Sequence, residues 1–229
     1  MTIIKQPQSR RTRGRRPAAG ADRVRPALLL VALLAGCGPG PEPEPVSTAW
    51  TRIAADGRTV AGSGDAGHAC VFDRRTGLLW EVKQRAAGPH RFDATFSWYS
   101  DDRQQHMSEP GTRDGGECDL ASCDTQALVE AVNALGLCGR HDWRLPTRDE
   151  LLTLVDERLV TSGNALDPAF FPAGPPGEYW SASTFRLYPR SAWVVSTANG
   201  LDRAELKREA RYARLVQGEE FNPRKPNVE

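Results

Sequence analysis

Residues 123–155 read CDTQALVEAVNALGLCGRHDWRLPTRDELLTLV, and their reading decides the fold. Two amphipathic segments lie here, one on each side of a rigid connector. Asp124 or Thr125 can accept a hydrogen bond from the free amides of a first helical turn, so either caps a helix running to about residue 135. Ala127, Leu128, Ala131, Val132 and Leu135 recur at helical spacing and form one apolar stripe. Gly136 is the natural stop, because glycine takes the left-handed cap conformation without a Cβ penalty. Thr147-Arg148-Asp149-Glu150 is a capping box, in which the Thr147 hydroxyl accepts from the Glu150 amide and the Glu150 carboxylate accepts from the Thr147 amide. Leu151, Leu152, Leu154 and Val155 follow as the buried face of a second helix. A Cys-Gly turn at 138–139 and the connector Asp142-Trp143-Arg144-Leu145-Pro146-Thr147 join the two.

Upstream, residues 70–82 place apolar runs on both sides of Asp73-Arg74-Arg75-Thr76-Gly77, a hairpin with Gly77 where positive φ is needed. Residues 84–121 are polar, with one aromatic cluster, Phe96-Ser97-Trp98-Tyr99. A loop of that length in a small domain is often functional. Downstream, Pro168, Pro172, Pro175 and Pro176 mark an irregular segment, and 179–184, 192–196 and 212–216 read as short strands. Asn199-Gly200 is a turn between strands. Trp80, Trp180 and Trp193 sit in apolar strands and belong to the core. The balance is α+β, with two helices and a small, mostly antiparallel sheet.

The 229 residues are near charge balance, 30 Lys and Arg against 29 Asp and Glu, but the balance hides an asymmetry. Residues 1–36 hold eight Lys and Arg and one Asp, which leaves a net charge of −6 on the remainder. An acidic remainder without a basic stripe argues against nucleic acid as a partner. Residues 27–36, ALLLVALLAG, are too few to cross a bilayer, which takes about 20 apolar residues. Basic leader, short apolar run and small-residue exit together predict a secretory signal over 1–36. Leu34-Ala35-Gly36-Cys37 resembles the lipobox of bacterial lipoproteins, which implies acylation of Cys37 as the first mature residue. An ordinary signal peptide that contains a cysteine is the alternative. Gly38 rather than Asp after Cys37 favours the outer membrane, with the domain facing the periplasm or the cell surface. Residues 37–47 then comprise the lipidated Cys and an extended Pro/Glu-rich spacer, 48–217 one folded domain, and 218–229 a disordered tail.

Four cysteines remain, Cys70, Cys118, Cys123 and Cys138, an even number that reads as two disulfides in an oxidising compartment. A helix over 124–135 separates Cys123 from Cys138 by roughly 20 Å at about 1.5 Å per residue, too far for a bond. Cys118–Cys123 with Cys70–Cys138 is preferred; Cys70–Cys123 with Cys118–Cys138 stays open. A metal site is disfavoured, since Cys118 and Cys123 lack CxxC spacing and the four histidines are scattered.

The segments TGLLWEVK (76–83), CDTQALVEAVNALGLCGRHDWRLPTRDELLTLVD (123–156), YWSAS (179–183), AWVV with a following NG (192–200) and YARLV (212–216) resemble, in order, the Lcl C-terminal domain family. That family is named for the terminal domain of a collagen-like adhesin, and the resemblance covers roughly 68–217. It implies a C-type-lectin-like, disulfide-stabilised envelope domain, linked in the adhesin to sulfated glycans. This chain has no Gly-X-Y repeat and therefore no collagen stalk. Its acidic remainder argues against sulfated ligands.

Asp142, Trp143 and Arg144 look like a site but read better as architecture, together with Thr147 and Glu150. Arg144 offers five rigid donors for loop carbonyls and a carboxylate such as Asp142, and Trp143 can fill the gap between helices and sheet. Trp98 and Tyr99, with Asp101 and Asp102 beside them, are either loop anchors packed on the domain or candidate ligand residues. In the second case the rings would stack on a sugar and the carboxylates would accept its hydroxyls. Asp101, Asp102, Asp114, Glu117, Asp119 and Asp124 could supply oxygens to calcium, but no EF-hand-like spacing exists and a solvated loop is the better reading. No Gly-x-Ser-x-Gly, P-loop or HExxH motif is present. The expectation is a non-catalytic, lipid-anchored binding module of the cell envelope, without a cofactor or metal, taking a glycan or an envelope protein. A structural or assembly partner is the second reading, and an enzyme with an unrecognised site the third.

Overall fold

The computed structural model describes residues 45–61 and 67–221. The expected signal segment, Cys37 and its lipidation, most of the spacer and the end of the tail lie outside these residues. The described residues fall in one compact unit, Pro43–Glu229. Two antiparallel sheets, rather than the single one expected, organise it. The first has the order β1 (Trp50–Ile53), β2 (Cys70–Asp73), β3 (Leu78–Glu81) and β7 (Val216–Gln217). The second is β4 (Glu178–Thr184), β5 (Ser191–Ser196) and β6 (Asp202–Leu206). The β2–β3 hairpin turns at Gly77, whose φ is 73°, as its sequence predicts.

Among the described residues, three α-helices accompany the sheets: α1 (Arg103–His106), α2 (Thr125–Leu135) and α3 (Arg148–Leu152). The Asp124 carboxylate accepts from the Ala127 amide to start α2, and Gly136, at φ 67°, ends it. The α3 capping box is complete in both directions. Three details of the helix reading change. The second helix is shorter than expected, since α3 ends at Leu152 and Leu154 and Val155 lie beyond it. Leu135 is 64% exposed, because the left-handed turn at Gly136 brings Leu137 into the core in its place. The single turn α1 was not expected, since its Arg-Gln-Gln-His sequence has no apolar periodicity and only the Asp102 cap announces it.

Along β2 and β3, Cys70 and Leu79 enter one apolar cluster while Val71, Leu78 and Trp80 enter another. Trp180, Ala192 and Val194 likewise face the first cluster, and Tyr179 and Val195 the second. Both faces of β2, β3 and β5 meet a cluster, so these strands read as near-continuous apolar runs rather than alternating ones.

The expected strand at 212–216 survives only as its last residue, in β7. The reason is its changing partners. The Tyr212 amide donates to Glu178 O, the Leu215 amide to the Glu81 carboxylate, and the Val216 amide to Arg144 O. This segment stitches the two sheets and the connector together, and no ladder can grow along it. The supposed loop at 84–121 is corrected in the same sense. Thr95, Phe96 and Ser97 bridge in turn to Glu117, Arg211 and Asp124, and Phe96 and Trp98 are fully enclosed in the first cluster. The segment runs through the core while pairing with a new partner at each residue.

Both disulfides follow the preferred pairing. Cys70 bonds Cys138, tying β2 to the turn after α2, and Cys118 bonds Cys123, just before α2. Removing the short Cys118–Cys123 crosslink as a double Ser variant is expected to cost about 2 kcal/mol in a denaturant titration, less than losing Cys70–Cys138, because loop-closure entropy grows with loop length. Within the expected tail, Gly218 O accepts from Arg144 and Phe221 packs against the second cluster, while residues 222–229 lie outside the described residues.

Candidate functional site

The Asp-Trp-Arg connector is built into the frame. The Trp143 amide donates to Asn133 Oδ1 at 2.7 Å, Asn133 Nδ2 returns a bond to Trp143 O at 2.9 Å, and the indole Nε1 donates to Leu137 O at 3.1 Å. These bonds pin the connector to the end of α2 and enclose the indole. Arg144 pairs with Glu150 and not with Asp142. Its two terminal nitrogens reach the two Glu150 oxygens at 2.7 Å each, and one also donates to Gly218 O. Asp142 lies exposed and accepts from Gln217 at 3.0 Å. The sequence favoured Asp142 because it is near in the chain, but the fork geometry of the guanidinium selects a carboxylate already fixed by the α3 cap. The fully enclosed Glu150 also accepts from the Thr147 and Phe221 amides at 2.7 and 2.9 Å. Burial pushes the Glu150 carboxyl up, but Arg144 and these amides outweigh it and hold the pKa below its ordinary value.

The aromatic pair divides. Trp98 offers no face to a ligand: it is fully buried, its Nε1 donates to Ser181 O at 2.9 Å, and Lys207 Nζ sits 3.8 Å from its ring centroid. It is the packed anchor of the two readings. Tyr99 remains partly exposed. Its hydroxyl accepts from Arg113 at 2.9 Å, and that guanidinium lies 4.1 Å from the ring centroid, covering one face. Tyr99 also lines a small pocket of about 160 Å³ with Asp102, Gln105, Gln126, Arg144 and Leu145. Asp101 is exposed and lies outside that lining. Of the four candidate ligand residues, the structure therefore brings Tyr99 and Asp102 together at one pocket. Gln105 and Gln126, which the sequence did not single out, join them from α1 and α2, placed there by helix caps at Asp102 and Asp124.

Several acidic side chains considered for calcium are engaged in the fold. Asp114 accepts from the Cys123 amide, Asp124 from the Ala127 amide, and Asp119 from Arg91 and the Gly88 amide.

A second groove, about 440 Å³, is lined by Glu109, Thr112, Tyr188, Arg190, Lys207 and Arg208 among others. Lys207 is almost fully enclosed, with Nζ donating to Glu109 O at 2.7 Å and His106 O at 3.3 Å. Burial pushes its ammonium down to about 8.

A third polar feature has no counterpart in the sequence reading. Glu81 is fully buried on β3. One oxygen accepts from Lys83 Nζ at 2.8 Å and lies 2.8 Å from His90 Nδ1, and the other accepts from the Leu215 amide at 2.9 Å. Arg214, also buried, donates to the Glu81 carbonyl and lies 4.6 Å from the Phe171 ring centroid. Burial alone pushes the Glu81 carboxyl up, but Lys83 and His90 reverse this and bring it to about 2.

A family model, the Lcl C-terminal domain, matches residues 69–217. The chain belongs to that family. The match spans the β2–β3 hairpin, the connector, both disulfides and the second sheet, which make up most of the fold described above. An Lcl C-terminal domain suggests an adhesin-like extracellular module, and the two disulfides fit an exported protein. No curated protein and no solved structure matches the chain. Among the described residues, no helix is long and apolar enough to cross a membrane.

Proposed function

We propose that this Lcl C-terminal domain is a non-catalytic binding module of the bacterial outer envelope, held by a lipid on Cys37, that takes a glycan in the pocket beside Tyr99. The observation that carries this reading is the convergence of one partly exposed ring, one carboxylate and two amides from separate elements on a pocket of about 160 Å³. Sugars are bound by that combination: a ring face covers the C–H surface, and side-chain amides and carboxylates meet hydroxyls that both donate and accept. The family supports adhesion over catalysis, and the lipobox-like leader supports anchoring. A lectin-like ancestry of the fold is part of the same proposal.

A glycan array probed with the purified protein tests it. The wild type is expected to bind a restricted set of glycans, and Gln105→Ala and Gln126→Ala to weaken each about fivefold, as for one lost hydrogen bond. Tyr99→Ala is expected to abolish detectable signal. A blank array, with an envelope protein recovered by crosslinking in cells, would replace this reading with that of an assembly partner.

A further inference from the structure

We propose that the turn joining β4 to β5, residues 185–190, is a docking tip for a negatively charged lipid surface. Leu187 is 87% exposed and the adjacent Tyr188 49%. Looseness of the chain does not account for this exposure. The Phe185 amide donates to Ser191 O at 2.9 Å, the Tyr188 amide to Phe185 O at 3.0 Å, and the Ser191 amide to Tyr188 O at 2.9 Å. Phe185 packs edge-on against Trp193 with ring centroids 5.2 Å apart, fixing the base of the turn. The backbone is closed beneath two apolar side chains that the core does not use, so the turn presents them in a set geometry.

The charges around the tip indicate the occupant. Arg186 and Arg190 flank Leu187 and Tyr188, and Arg208 lines the adjoining groove. The carboxylates opposite are held loosely, Arg190 to Glu109 at 3.5 Å and Arg208 to Glu209 at 3.3 Å, both between exposed side chains. Such surface pairs are weak in water and can be exchanged for a phosphate, which a guanidinium grips with two parallel bonds. Two side chains at the end of a turn are too small for a stable protein interface, which covers about 800 Å² per partner. They suit the boundary between headgroups and acyl chains, where Tyr is enriched and a leucine can enter the apolar layer. Long arginine stems let the charged heads stay among the phosphates.

This inference is independent of the glycan reading, and the two fail separately. The test is sedimentation of the purified protein with vesicles of phosphatidylcholine alone and of phosphatidylcholine mixed with phosphatidylglycerol. A Leu187→Ser/Tyr188→Ser variant and an Arg186→Ser/Arg208→Ser variant are compared with the wild type. All three proteins carry the same N-terminal segment and the same state of Cys37, so differences between them read the tip. The wild type is expected to prefer the phosphatidylglycerol vesicles. The apolar variant should partition about tenfold less, the loss expected for keeping one large apolar side chain out of the bilayer. The arginine variant should lose the preference for anionic vesicles, and Tyr99→Ala should bind vesicles as the wild type does. Equal wild-type binding to both vesicle types, or a Leu187→Ser/Tyr188→Ser variant that partitions unchanged, would overturn the proposal.

Discussion

Arg144→Ala is expected to destabilise the domain by roughly 3–5 kcal/mol, the range for breaking a buried ion pair from one side. The effect comes from what remains. Glu150 has no exposed surface, and its charge is balanced by the two 2.7 Å bonds from Arg144. Without the guanidinium, a buried carboxylate keeps only the Thr147 and Phe221 amides. The Gly218 carbonyl that holds the chain end loses its donor as well. Denaturant unfolding of the purified variant measures the loss. Adding Glu150→Gln should recover part of it, because a neutral amide can keep bonds to the same amides without a buried charge. A stably folded Arg144→Ala that had lost only ligand binding would show instead that Arg144 serves the pocket it lines.

Glu81→Gln is expected to cost a similar amount, about 3–5 kcal/mol near neutral pH, because Lys83 is then buried without a counter-charge. The pH dependence is specific. The Glu81 carboxyl falls from its ordinary 4.5 to about 2 in the folded state. A carboxyl depressed by folding contributes stability that is fully present above about pH 4.5 and is lost as pH falls through about 2. The gap in unfolding free energy between wild type and Glu81→Gln should therefore be widest above pH 4.5 and narrow steadily toward pH 2. A gap that stayed constant over that range would mean that Glu81 acts through shape and not through charge.

The parts of this fold that were legible in the sequence share one property: their bonds are local. The α2 stripe, the Gly136 stop, the Thr147–Glu150 box and the Gly77 hairpin each depend on residues a few positions apart, so spacing alone reveals them. The separation of Cys123 from Cys138 was legible for a related reason, since an 11-residue helix lies between them; the choice between the two remaining pairings came from the structure. The family was legible through the same connector. Residues that pair across the chain were not. Phe96 and Trp98 sit in a polar-looking stretch with no periodicity, yet the core closes around them. Asp142, the carboxylate nearest Arg144 in the chain, is not its partner, because proximity in sequence is a poor guide to a forked side chain. The Tyr99 pocket was half visible, through Tyr99 and Asp102. Gln105 and Gln126 carry no signal until α1 and α2 are placed side by side.

The sequence by itself determined the α+β class of the domain, both ends of α2, the start of α3 and the family, and it ruled against one of the three cysteine pairings, because capping, turn chemistry and apolar spacing act over a few residues. Only the tertiary structure decided which aromatic is enclosed and which is presented, where the buried charges find partners, and which surface residues meet at a pocket. Those outcomes depend on contacts between segments far apart in the chain, such as 212–216 sewing two sheets together, and no local pattern encodes them.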